Sequence, residues 1–208
     1  MHRGLFITFE GGEGTGKSTQ ILKLGAKLRE QGIDVLVTRE PGGSAPAEEI
    51  RKEIVSGDVG RWSPLAETLL VNAARDSHLR ETIRPALRQG KVVLCDRFMD
   101  STRAYQGVAG GVEESLVDAL EKLVVGETRP DLTLILDLDP DLGLARAKAT
   151  ENRFELKDRE FHSRLRSAYL GIARSEPHRC KIIDASASSE QVFSAIWQLA
   201  RPLLSRIQ

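Results

Sequence analysis

The chain has 208 residues, with 30 Lys and Arg balanced by 30 Asp and Glu. That length suits one well-buried α/β domain, and a net charge of zero points away from nucleic-acid and membrane partners. No apolar run is long enough to span a bilayer, and the first strand begins too near residue 1 to leave room for a signal peptide, so a cytoplasmic protein is expected.

In chain order, the segment Leu5-Phe6-Ile7-Thr8-Phe9 reads as a strand, and residues 19–31 repeat apolar side chains (Ile21, Leu22, Leu24, Ala26, Leu28) at helical spacing. A second strand is expected over 33–38, then a turn at Arg39-Glu40-Pro41-Gly42-Gly43 and a helix over 45–55. Residues 62–89 carry a long helical pattern with a break expected near Pro85. Residues 91–95 read as a strand, apolar from Val92 to Cys95, followed by helical stretches over 101–106 and 113–124. A fourth strand over 132–136, helices over 141–149 and 161–174, a fifth strand over 181–183 and a last helix over 189–204 complete the pattern. The stripe Phe193, Ile196, Trp197, Ala200 and Leu204 is the expected buried face of that last helix. Short apolar strands alternating with helices predict a five-stranded parallel sheet covered on both faces, a three-layer α/β/α fold. One domain over 1–208 is expected, with a short mobile lid at about 147–160. Cys95 and Cys180 fall in or beside strands and read as core thiols in a reducing compartment. His2, His78, His162 and His178 show no ligand spacing and read as surface residues or supports behind a site.

Between the first strand and first helix stands Gly11-Gly12-Glu13-Gly14-Thr15-Gly16-Lys17-Ser18, a full match to the phosphate-loop pattern in the strand-loop-helix context it requires. Glycines let backbone N–H groups turn inward around phosphate oxygens, and the helix N-terminus adds its positive dipole end. Lys17 can reach the β- and γ-phosphates of ATP, and the Ser18 hydroxyl can ligate Mg²⁺. Gly11 through Thr19 are the candidate ATP-binding residues, within a fold of the P-loop NTPase type. Asp96 directly follows the apolar third strand and is the candidate second metal ligand; the alternative is a helix cap.

Ligands in such folds sit beyond the carboxyl ends of the strands. Here Arg39-Glu40, Asp96-Arg97, Asp137, Asp139 and Asp184-Ala185-Ser186 gather there with the phosphate loop. Arg39, Arg51, Arg75 and Arg97 all leave this edge, and arginine binds phosphate as a planar fork. With Lys17 and Mg²⁺ serving the donor, further arginines suggest a second, phosphorylated substrate; each alone could instead be a surface residue or a structural ion pair. The stretch 146–179 holds nine Lys and Arg against five Asp and Glu. Arg146, Lys148, Arg153 and Arg159 lie in or beside its loop-like part. A basic flap there could stabilise the transferring phosphoryl group and exclude water, chiefly through Arg153; a solvated charged helix pair is the alternative.

These motifs resemble those of thymidylate kinases. The resemblance rests on residues 9–20, Thr38-Arg39-Glu40-Pro41-Gly42-Gly43, Asp96-Arg97-Phe98 and Ser101-Thr102-Arg103-Ala104-Tyr105-Gln106. It also rests on Arg129-Pro130-Asp131-Leu132-Thr133, Asn152-Arg153-Phe154-Glu155 and Ile183-Asp184-Ala185. It implies transfer of the ATP γ-phosphoryl group to dTMP, giving dTDP and ADP, by a homodimer. By position, Arg97 would hold the dTMP phosphate, helped by Arg39 or Arg51. Arg75 would reach the thymine edge or that phosphate, and Thr102 and Gln106 would contact the base. Tyr105 would pack on the deoxyribose and disfavour a 2′-hydroxyl, with Glu13 near the acceptor sugar and metal. Lys17, Arg97 and Arg153 would act electrostatically, because an anionic acceptor phosphate requires no strong base. The basic residue lies in the lid and not in the phosphate loop, as in the bacterial type.

Two positions depart from the family pattern. Val71 stands where a Phe usually stacks on thymine; it shares a helix face with Arg75 and should line the base pocket without an aromatic face. Asn152 precedes Arg153 where Asp is usual, which removes a carboxylate that could orient the arginine. The rival readings are a kinase for another nucleoside monophosphate or a deoxynucleoside and, more remotely, a non-catalytic nucleotide-gated switch. No N-K-x-D or D-x-x-G element supports the switch.

Overall fold

The computed structural model describes residues 4–147, 154 and 156–206. Five parallel strands form one sheet in the order β2-β3-β1-β4-β5: β1 (Phe6–Glu10), β2 (Val35–Arg39), β3 (Val92–Asp96), β4 (Leu132–Asp137) and β5 (Cys180–Asp184). Alternating strand side chains point to opposite faces, and both faces are apolar. Leu5, Ile7, Phe9, Leu94 and Leu134 pack against α1 (Lys17–Glu30) and α9 (Ser189–Ala200). On the opposite face, Phe6, Val93 and Cys95 meet Leu79, Ile83 and Leu87, while Ile135 meets Leu165, Tyr169 and Ile172 of α8 (Arg159–Ser175). The result is the expected three-layer α/β/α arrangement. Both cysteines are free and buried. Among the described residues no helix is long and apolar enough to cross a membrane.

Helix ends follow local chemistry. Ser63 caps α3 (Pro64–His78) by accepting from Ala66 N, Asp158 caps α8 by accepting from Phe161 N, and Ser188 with Gln191 makes a reciprocal capping box on α9. The break expected near Pro85 does not occur. Instead a π-helical turn, Leu79–Ile83, joins α3 to α4 (Arg84–Arg88), and Pro85 sits in the first turn of α4. A proline there needs no N–H partner, and the wider turn takes up the misfit upstream. The short helix α5 (Met99–Thr102) likewise runs into a π-helical turn, Arg103–Val108, ahead of α6 (Glu114–Val124). The last helix stops at Ala200 and tightens into a 3₁₀ turn, Arg201–Arg206, where Pro202 cannot donate to the α ladder. Its fully buried positions are Val192, Ile196, Ala200 and Leu204, with Phe193 and Trp197 only half-buried. The helices α2 (Ala45–Val55) and α7 (Pro140–Ala147) stand near the expected positions.

The register places Phe9 and Arg39 opposite Asp96, and Asp137 opposite Asp184. The carboxyl ends of the strands therefore share one edge, with β1 between β3 and β4, and the loop after β1 opens at the middle of that edge.

Candidate active site

The phosphate loop leaves β1 at Glu10 and enters α1 at Lys17. Gly14 has φ +64°, and a Cβ there would lie 2.0 Å from Gly143 O, so only glycine fits. The Lys17 ammonium donates to Gly12 O (2.7 Å) and Gly11 O (3.1 Å), folded across its own loop. Burial and the nearby Arg97 lower its pKa to about 8, against the pull of Asp96, Glu13 and Glu10. Thr15 Oγ1 donates to Gly12 O at 3.1 Å and firms the turn. Ser18 Oγ donates to Asp96 Oδ2 at 2.7 Å, so the two candidate metal ligands, 78 residues apart in sequence, meet. Among the described residues no three or more His, Cys, Asp or Glu converge as a metal cage. A hydroxyl and one carboxylate nonetheless suit Mg²⁺, which takes oxygen ligands and is completed by phosphate and water.

Beside the loop lies a cavity lined by Glu13, Arg51, Val71, Arg75, Arg97, Thr102, Tyr105 and Gln106. These eight expected acceptor residues come from five separate segments. Arg39 is not with them. It projects from the end of β2 toward a different groove, beside Ser18 and Asp96, and its half-exposed guanidinium pairs with Glu48 Oε2 at 3.1 Å. Arg51 enters the cavity from α2 and donates to Pro41 O at 2.7 Å. Val71 lines the wall as expected. Phe154, whose ring meets that of Tyr105 edge-on at 5.6 Å, also lines the cavity and supplies an aromatic surface that the sequence pattern did not place.

Arg97 adopts φ +67°, unusual for a residue with a Cβ. Its N–H bonds Phe9 O at 2.9 Å, and the next N–H, that of Phe98, bonds the Glu10 carboxylate at 2.8 Å, so β1 clamps the turn from both sides. The guanidinium donates to Gly11 O (2.9 Å) and Glu13 Oε1 (3.0 Å) and stacks over the Tyr105 ring at 4.9 Å. Tyr105 OH also donates to Glu13 Oε1, at 2.7 Å. Burial opposes ionisation of Glu13, but Arg97, Lys17 and the Tyr105 hydroxyl outweigh it and hold its pKa at about 2. Glu13 is thus a fixed negative charge between the loop and the cavity.

Arg75 is 3% exposed and held by several partners: Nε donates to Glu40 Oε2 (2.7 Å), and one terminal nitrogen donates to Phe98 O (3.1 Å) and Thr102 Oγ1 (3.0 Å). Glu40 in turn meets His78 Nδ1 at 3.0 Å, and His78 Nε2 lies 2.7 Å from Thr38 Oγ1. His78 is therefore a support behind the site, and the buried Arg75–Glu40 pair has the extra hydrogen bonds a desolvated ion pair needs. Its one readable signal was Glu40 in the turn after the second strand, with His78 three residues beyond Arg75 on the same helix.

Sequence reasoning missed Glu10. Its buried carboxyl accepts from Phe98 N, Ser101 N (3.2 Å), Ser101 Oγ (2.6 Å) and Tyr169 OH (3.0 Å). Burial, reinforced by Asp100, raises its pKa to about 7, against Ser101, Arg97 and the Phe98 N–H. A second missed network joins Arg179 to Asp100 through two bonds of 2.6 and 2.9 Å. At β4 and β5 the polar strand ends serve the fold. Asp137 holds Arg166 through two bonds of 2.7 and 2.9 Å, and Asp184 closes a turn on Ser186. Of the basic residues expected around the lid, Arg159 is paired with Asp141 and Arg146 donates to Ala185 O. Lys148, Asn152 and Arg153 lie outside the described residues.

A family model, thymidylate kinase, matches residues 9–196. A thymidylate kinase of Caulobacter vibrioides is 57% identical over 198 residues, 94% of this chain and 95% of the relative. One from a Bradyrhizobium species is 51% identical over 207 residues, 97% of this chain and 92% of the relative. The crystal structure of thymidylate kinase from Ehrlichia chaffeensis superposes with a TM-score of 0.80 at 35% identity, covering 95% of this chain and 99% of that one. Likeness this deep runs through the phosphate loop and every segment that lines the arginine-rich cavity, so the chain belongs to the thymidylate kinase family.

Proposed function

We infer that this chain transfers the γ-phosphoryl group of ATP to dTMP, giving dTDP and ADP. The observation that carries the reading is Glu13: it belongs to the phosphate loop and, through Arg97 and Tyr105, to the wall of the second cavity. Donor and acceptor sites therefore share one residue, as direct transfer between two bound phosphates requires.

In this reading Lys17 leaves the carbonyls of its own loop for the β- and γ-phosphates, and the inward N–H groups of Gly11 to Thr19 cradle the rest. Arg97 and Arg51 hold the acceptor phosphate, whose oxygen is the nucleophile and carries no proton to be removed. Lys17, Arg97 and Arg153 offset the charge that develops in transfer. Thr102, Gln106 and Arg75 face the base, Val71 packs on it, and Tyr105 closes the sugar pocket where a 2′-hydroxyl would stand. Ser18 and Asp96 would hold Mg²⁺, which when bound neutralises β- and γ-oxygen charge. The chain acts as a single nucleoside monophosphate kinase domain in the cytoplasm. It pairs as a homodimer through a face that includes Leu65 and Leu69 of α3, which are 48% and 49% exposed.

ADP release measured with dTMP, dUMP, UMP, dCMP, AMP and GMP, with thymidine as control, tests the reading. The expected result is the highest kcat/KM for dTMP; a faster reaction with thymidine or a purine nucleotide would sink it.

A further inference from the structure

Glu67 is buried on α3, one turn before Val71 and two before Arg75, and has no part in the mechanism above. It accepts a hydrogen bond of 2.7 Å from Gln106 Nε2, and both side chains are buried. A carboxylate accepts but does not donate, so the nitrogen end of the Gln106 amide must be the end that faces Glu67. The carbonyl end is then left for the cavity that Gln106 lines. Among the described residues nothing donates to that oxygen, and it is not one of the buried polar atoms without a partner. Arg75, on the same wall, carries donors only. A donor beside an acceptor matches a pyrimidine edge with a carbonyl next to a ring N–H, as in thymine and uracil. Cytosine presents the reverse, an amino group next to an unprotonated nitrogen.

We propose that Glu67 is a positioning residue that fixes the Gln106 amide with its carbonyl toward the base, and so sets the preference for N3–H pyrimidines over cytosine. The proposal rests on the reading that this cavity takes a pyrimidine base. A Gln at position 67 can accept or donate, so it would no longer dictate which way the Gln106 amide turns.

The test is kcat/KM for dTMP, dUMP and dCMP in the unaltered protein and in Glu67→Gln, Glu67→Met and Gln106→Leu, with thermal unfolding of each. In Glu67→Gln the dTMP-to-dCMP ratio should fall about tenfold or more, while the dTMP-to-dUMP ratio stays within about threefold, because uracil also carries N3–H. A merely structural role would loosen the pocket and move both ratios together, and that result overturns the proposal. Unchanged ratios in folded Glu67→Gln and Glu67→Met, with the dTMP-to-dCMP ratio collapsed in Gln106→Leu, overturn it and leave the base site standing. Unchanged ratios in all three variants overturn both. Should neither position-67 variant fold, dTMP methylated at N3 still decides with the unaltered protein: use about tenfold poorer than dTMP is expected, and equal use overturns the proposal.

Discussion

In the phosphate loop, Lys17 and Thr15 are held by atoms a few residues away, Lys17 by Gly11 and Gly12 and Thr15 by Gly12, while Ser18 reaches the more distant Asp96. Across the crevice the partners are remote in sequence. Arg75 and Glu40 are 35 residues apart, Arg97 and Glu13 84, Tyr105 and Glu13 92, and Tyr169 and Glu10 159. The difference follows from the two tasks. Gripping a triphosphate needs backbone N–H groups and one lysine, which a short glycine-rich loop supplies by itself. Recognising a second phosphate and a base requires charged side chains in a partly dry cavity, and each costs desolvation unless another element pairs with it. Apart from the Ser18–Asp96 pair, the donor side is thus a local device and the acceptor side a product of the whole fold.

The largest expected effects separate the two sides directly. Lys17→Ala should lower kcat about 10³-fold with every acceptor, whereas Arg97→Ala should cost about 10²–10³-fold in kcat/KM for dTMP and leave the KM for ATP nearly unchanged. Small and equal losses, measured by steady-state kinetics with each substrate varied, would break the contrast.

Glu10 tests whether the remote network carries a stability cost. Its folded pKa is raised from the ordinary 4.5 to about 7, so its favourable contribution is fully present below pH 4.5 and is lost as pH rises through about 7. The difference is on the order of 3 kcal/mol. Urea unfolding of Glu10→Gln should show correspondingly less loss of stability between pH 5 and pH 8 than the unaltered protein. Parallel pH profiles for the two proteins would mean that the carboxyl ionises without cost.

The smallest effect sharpens where the acceptor phosphate lies. Arg51→Ala should raise the KM for dTMP about tenfold, as loss of one charge-assisted bond would, and Arg39→Ala by less than about threefold. The reverse order would move the phosphate to the groove beside Ser18 and Asp96.

Much of this was readable beforehand. The five strands and the helices on both faces follow from apolar period and turn residues, which act locally. The phosphate loop is contiguous, so its role was legible in eight residues. Arg51, Arg75 and Arg97 could be grouped because each leaves a strand's carboxyl end or a helix facing it. What could not be read was the direction of a side chain. Arg39 stands at the same edge as Arg97, yet Glu48 draws it to the other groove. Glu10 lies just past the strand read over Leu5 to Phe9, and only the loop after β3 and Tyr169 of α8 make it a hub. Pro85 looked like a helix breaker, but the π-helical turn before it let the helical path continue.

By itself, then, the order of residues determined the layered α/β architecture, the phosphate loop and the surplus of arginines facing it, because backbone propensity and apolar period are properties of neighbours along the chain. Only the tertiary structure decided which arginines share a cavity, that Arg97 and Tyr105 are the partners that hold Glu13, and that Glu67 holds the Gln106 amide. Those outcomes depend on which distant side chain reaches each buried charge or amide first, and on the desolvation cost that makes such a partner necessary.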